Sequence, residues 1–229
     1  MNITELLCVL CPPLLCGLLT DLAAFCLPDA SLLLQTMAGS LASLPFLLFF
    51  VRQERLPWRS EVSPSVGQMP CAVRSSFSFP PPSRSLLLFL SGCLLSIAGN
   101  CLVGLLRDLF FPSLTSAAVS ALYREPLWLQ LFSSGLLLPF TEELCFRALG
   151  FSVLRRHGSF LRSALLSSLL FACWHGELLQ GLYAFFAGLC FCLVLEKEQT
   201  LTAPFLVHSS ANLTSILLTA LSAGPGFHP

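Results

Sequence analysis

SLLLFLSGCLLSIAGNCLVGLL, residues 85–106, runs from Arg84 to Arg107 without a single Asp, Glu, Lys or Arg. An α-helix needs about 20 such residues, each rising ~1.5 Å, to cross roughly 30 Å of hydrocarbon. Comparable apolar runs lie on either side, over roughly 5–27, 33–51, 126–154, 159–175, 180–195 and 201–221. In the whole chain of 229 residues, 55% are hydrophobic and 10% charged, whereas a soluble domain carries about 25% charged residues. Period-2 alternation over ten-residue segments is absent, which excludes a membrane β-barrel and leaves helices to satisfy the backbone in lipid. The expected fold is all-α, a polytopic bundle of about seven transmembrane helices.

The net charge is zero, so the placement of charge is what informs. Arg52, Arg55, Arg59, Arg74 and Arg84 share the connection after the second run, Arg155, Arg156 and Arg162 follow the fourth, and Lys197 follows the sixth. Arg107 and Arg124 occupy a connection of opposite parity. By the positive-inside rule the N-terminus is expected in the cytosol and the C-terminus outside, in a multi-pass protein of the plasma membrane. The first run carries Glu5 and no basic residue ahead of it, so it is expected to stay as a span and not to be a cleaved leader. Residues 52–84, rich in Pro and Ser with mixed charge, read as a cytosolic linker between an N-terminal hairpin (1–51) and a larger bundle (85–229). Most of the eleven cysteines lie within apolar runs, where they serve as small hydrophobes, and no disulfide is expected. No internal repeat, phosphate-binding glycine loop or nucleic-acid motif is present, so the partners expected are the bilayer and a membrane-delivered ligand, with no nucleic acid.

Against this background TEELCFR (141–147), FACWH (171–175) and HSSAN (208–212) stand out, because they place Glu142, Glu143, Arg147, His175, His208 and Asn212 inside apolar segments. An acid or arginine near a bilayer centre costs roughly 2.5–3.5 kcal/mol on insertion scales, so each should face the bundle interior with a partner. Counted from the cytosolic ends of their runs, Glu142, His175, His208 and Asn212 all fall near the middle third of the membrane. Glu143 and Arg147 are one turn apart and fit an ion pair, while Glu142, rotated by about 100°, is expected to point elsewhere, toward the histidines and Asn212. Pro139 should kink the helix beside them, and Phe171 shares a helical face with His175 as a packing residue.

A desolvated carboxylate can act as a general base on water, and histidine and amide N–H groups can hold that water or an oxyanion. Glu142, His175, His208 and Asn212 thus suffice for amide hydrolysis. Other uses remain open on the residues alone. The histidines can be structural hydrogen-bonding groups, Cys145 or Cys173 a nucleophile, and Glu142, His175 and His208 zinc ligands. The whole cluster can instead serve recognition or a proton relay.

The three motifs together, EExxxR, FxxxH and HxxxN in this order on successive spans, resemble the type II CAAX prenyl endopeptidase and bacteriocin-processing (CPBP) family, which includes lysostaphin resistance protein A-like proteins. TLTAPFLVHSSAN (200–212) is similar to that family's lead into its last motif. The resemblance covers about residues 126–221. It implies an intramembrane glutamate-type endopeptidase with neither metal nor cofactor, in which Glu142 and His175 activate water and His208 and Asn212 form the oxyanion site. Glu143, Arg147 and Phe171 would be supporting residues, and the substrate a membrane-associated peptide of CAAX or bacteriocin-leader type. The alternatives to that activity are a non-catalytic protein of bacteriocin self-immunity or scaffolding, and a zinc-dependent membrane protease.

Overall fold

Seven helical rods make up the described residues of the computed structural model, which are 3–54, 77–112 and 124–222. Helices α1 (Ile3–Cys26) and α2 (Leu32–Glu54) form a hairpin, and α3 (Pro82–Phe110) follows the linker. Residues 55–76 of that linker lie outside the described residues. Helix α4 runs continuously over 127–157, and α5 (Phe160–Trp174), α6 (Leu178–Glu198) and α7 (Thr202–Ser222) complete the bundle. The fold is all-α, as the apolar runs require, and α1, α2, α3, α6 and α7 are each long and apolar enough to cross a membrane.

Local chemistry sets the ends of these rods. Pro82 begins α3, where its missing N–H leaves no bond unmade. The α1–α2 turn is tied by Gln35, whose side-chain amide donates to the carbonyls of Leu27 at 2.9 Å and Ala30 at 3.1 Å. Helix α5 is shorter than the apolar run containing it. It stops at Trp174 because Gly176 adopts φ +69°, the left-handed conformation that closes helices. Its 15 residues reach about 22 Å, so His175 is the cap of a helix that ends within the bundle and not a mid-helix residue.

The molecule is apolar outside, and its interior holds polar groups among the apolar core. Leu14, Leu18, Phe25, Leu94 and Leu109 are exposed, whereas Ser43, Ser96, Ser133, Ser168, Ser210, Glu143 and Arg147 are fully buried. Lipid offers no competing hydrogen bonds, so polar and small side chains collect where helices meet and Leu and Phe face the acyl chains. One end of the bundle gathers paired charges: Arg155 donates to Glu196 at 2.8 Å, Arg84 to Glu198 at 2.8 Å, and His157 lies 2.9 Å from Glu5. The starts of α1 and α3 and the ends of α4 and α6 therefore share this face.

Segment Glu143–Phe151 of α4 is the centre, buried at every residue and packed by α1, α2, α5 and α6. Helix α7 lies against α3 and α6. The α3–α7 crossing is so close that a Cβ on Gly92 would fall within 2.2 Å of the Val207 carbonyl oxygen, next to His208. Gly92→Ala should therefore push α7 off α3 and cost about 1–3 kcal/mol. Gly104→Ala on the same helix, with nothing near its Cβ, should be neutral or slightly stabilising. Thermal unfolding of the two variants in detergent micelles measures the difference, and equal effects would mean that the crossing does not limit packing.

Candidate active site

Two departures from α-geometry in α4 build the site. At Ser133–Leu137 the helix widens to a π-register, in which the Leu138 N–H donates to the Ser133 carbonyl five residues back. The next donor in that register would be Pro139, which has no N–H. Pro139 thus cannot donate to the Ser134 carbonyl, and Asn212 of α7 does, its Nδ2 donating at 2.9 Å. The expected kink at Pro139 is thus a widening that recruits a side chain from another helix.

A second π-segment spans Glu143–Phe151. Here the carbonyls take hydroxyl donors as well, Phe146 from Ser167 of α5 at 2.7 Å and Arg147 from Ser152 at 2.9 Å. Successive residues turn by less than the α-helical 100° in this register, which brings neighbouring side chains closer on the helix surface.

Glu142 and Glu143 consequently meet one partner. His208 Nδ1 lies 2.9 Å from Glu143 Oε1, and its Nε2 lies 3.5 Å from Glu142 Oε2. Glu143 Oε2 in turn lies 3.5 Å from Arg147 Nε. The ion pair expected between Glu143 and Arg147 is present. Glu142 points toward a histidine, and that histidine is shared with Glu143, because the imidazole has a nitrogen on each of two edges and enters between the two carboxylates. Glu142, His208, Glu143 and Arg147 form a line of groups that alternate in sign when ionised, so their charges cancel locally.

Aromatic rings close this line. The Arg147 guanidinium carbon sits 4.3 Å from the Phe171 ring centroid and 5.0 Å from that of Phe191, and His208 stacks on Phe191 at 4.6 Å with planes 22° apart. The guanidinium nitrogens find no hydrogen-bond acceptor among the described residues, so the ring faces and Glu143 carry the stabilisation. Gly188 makes room, since a Cβ there would come within 3.2 Å of an Arg147 Nη.

His175 joins through Phe171. Its ring packs 4.7 Å from the Phe171 ring, which is itself 5.8 Å from His208. His175 Nδ1 lies 2.8 Å from the Phe171 carbonyl oxygen, which can only accept. The proton is therefore on Nδ1, and in neutral His175 the Nε2 lone pair stays free. Phe171 is more than packing for one histidine, because it touches His175, His208, Phe146 and Arg147 at once.

Of the four aligned groups, Glu142 alone opens onto a cavity. Its side chain is 15% exposed, against 0% for Glu143 and Arg147, and it lines a cavity of about 40 Å³. That is room for one or two waters. The other walls include Cys16 and Thr20 of α1, Thr36 and Ser40 of α2, Cys145 of α4 and Trp174. Neither histidine is among the residues lining this cavity: His208 reaches Glu142 from α7, and His175 sits across Phe171. No three His, Cys, Asp or Glu side chains among the described residues are arranged to hold a metal ion, so the zinc alternative finds no ready ligand set.

The walls from α1 and α2, and Phe191 and Gly188 from α6, were missed in the sequence. Thr20, Thr36 and Ser40 carried a signal, as hydroxyls inside apolar runs. Phe191 carried none, being one of 20 phenylalanines.

A membrane-embedded bundle with a carboxylate on a small internal cavity, backed by histidine, glutamate and arginine, belongs to the class of polar intramembrane sites. The family comparison makes this specific, matching residues 124–214 to Rce1-like, the type II CAAX prenyl endopeptidase Rce1-like family. This segment is thus similar to a family of CAAX-type intramembrane proteases. No curated protein and no solved structure matches the chain.

Arg147→Met should cost about 3–5 kcal/mol, because it leaves Glu143 buried without its cation. Glu143→Gln combined with Arg147→Met should recover part of that loss. Thermal melts of the single and double variants in micelles test this, and strictly additive losses would contradict the pairing.

Proposed function

We propose that the chain is a metal-independent intramembrane endopeptidase that hydrolyses a peptide bond in a membrane-anchored substrate, with Glu142 as general base. The single observation carrying this reading is that Glu142, alone among the four aligned ionisable groups, opens onto a cavity with room for water. Glu142 takes a proton from that water, the resulting hydroxide attacks the scissile carbonyl, and the proton passes to the leaving amine.

Glu143 and Arg147 hold His208 from its far edge, so that Nε2 is presented to Glu142. Asn212 has one of its two amide N–H bonds committed to the Ser134 carbonyl, and its second can donate to the oxyanion beside His208. His175, with its Nε2 lone pair free, shares the handling of water and leaving group with Glu142. The arginines at the end of the bundle that holds Arg84 and Arg155 support reading that end, and with it the N-terminus, as cytosolic. The substrate class we propose is a prenylated peptide with a CAAX C-terminus, held in the leaflet by its lipid.

Purified protein in proteoliposomes should release the C-terminal tripeptide from a farnesylated CAAX peptide. Glu142→Gln should lower kcat by about 10²–10⁴-fold with its melting temperature kept, and EDTA should leave the wild-type rate unchanged. A Glu142→Gln variant that cleaves at the wild-type rate would exclude Glu142 as the base.

A further inference from the structure

Cys16 on α1 and Cys145 on α4 are 129 positions apart in sequence, yet their Sγ atoms meet at 3.5 Å in the interior. Both are buried, both line the cavity onto which Glu142 opens, and both are free thiols. A disulfide requires about 2.05 Å between sulfurs. The remaining gap of about 1.5 Å is that of two thiols in contact, close enough for a bond to form once one of them is oxidised.

We infer that Cys16 and Cys145 are an oxidative modification site, a dithiol closed to a disulfide by a small hydroperoxide that enters the cavity beside Glu142. The cavity of about 40 Å³ has space for hydrogen peroxide, and the Glu142 carboxylate lines it together with both thiols. One sulfur, as thiolate, attacks a peroxide oxygen and breaks the O–O bond, giving a sulfenic acid and hydroxide, which is protonated to water. The second thiol then displaces the sulfenic hydroxyl, forming the S–S bond and a second water. Two thiols are oxidised, one peroxide is reduced, and two waters leave.

The bond would tie α1 to the segment that carries both glutamates and draw together two walls of the Glu142 cavity. Resting on the peptidase reading above, this predicts that the oxidised protein loses Glu142-dependent cleavage. Burial also shields the bond from large reductants, so its reversal should need a small dithiol.

The test uses full-length protein in micelles, treated with hydrogen peroxide, alkylated with N-ethylmaleimide and mapped by peptide mass. The expected result is a cross-linked pair containing Cys16 and Cys145, dissolved by dithiothreitol and absent from Cys16→Ser. Cleavage of a farnesylated CAAX peptide should fall at least ten-fold in the cross-linked protein and return with dithiothreitol. In Cys16→Ser, compared with itself before treatment, it should not fall. Both thiols alkylated after peroxide, or Cys145 carried to a sulfonic acid with no cross-link, would overturn the site. A complete cross-link with an unchanged cleavage rate would overturn its control of the cavity. If reduced wild type cleaves nothing, the peptidase reading and that control fail together, while the mapped cross-link still decides the oxidation site.

Discussion

Burying Arg147 without a water-accessible escape is the constraint around which the rest of the bundle is arranged. Its side chain is fully enclosed, and an unpaired guanidinium in such surroundings would cost many kcal/mol. Glu143 answers the charge from one turn away, the faces of Phe171 and Phe191 cover the guanidinium plane, and Gly188 leaves the space it occupies. These groups come from three different helices. The ion pair is therefore a demand on the packing of α4, α5 and α6 together, and it fixes the position of Glu143 against which His208 is held.

The π-segments extend that demand to the backbone. A regular helix would satisfy its own carbonyls and offer nothing to its neighbours. Widened at Ser133–Leu137 and Glu143–Phe151, α4 bonds through its carbonyls to Asn212 of α7 and Ser167 of α5. In lipid such bonds are specific because a carbonyl has few other donors to find. Helix α7 is thereby held twice, by Asn212 on a backbone oxygen and by His208 between two carboxylates, one turn apart on the same face. That double attachment orients the imidazole more narrowly than either bond alone could.

The rods were legible in the sequence because lipid imposes a simple rule of length and apolarity, and each expected span matches a described helix to within a few residues. The polar residues of the site were legible for the same reason: charge in an apolar run is costly and must have a use. Their mutual arrangement was not. Helical spacing at 100° per residue separated Glu142 from Glu143, because the π-register at Glu143 leaves no mark in composition. His175 was placed by depth at the end of its run, and the Gly176 that follows it carried the stop signal. Asn212 read as a free donor, since the Ser134 carbonyl as its acceptor only follows once the π-register and Pro139 are considered together.

The family match ends short of the whole site. Residues 124–214 contain both glutamates, both histidines, Arg147, Phe171 and Asn212, but the cavity on which Glu142 opens is walled in part by Cys16, Thr20, Thr36 and Ser40 from α1 and α2. The ionisable groups and the shape around them thus come from separate stretches of chain. Substitutions in the hairpin can change the size, polarity or oxidation state of the cavity without touching the line from Glu142 to Arg147, because that line is held from its other side by α5, α6 and α7. The balance of buried charge stays with α4 and the helices that hold it, and the hairpin is left to shape the open side of the cavity.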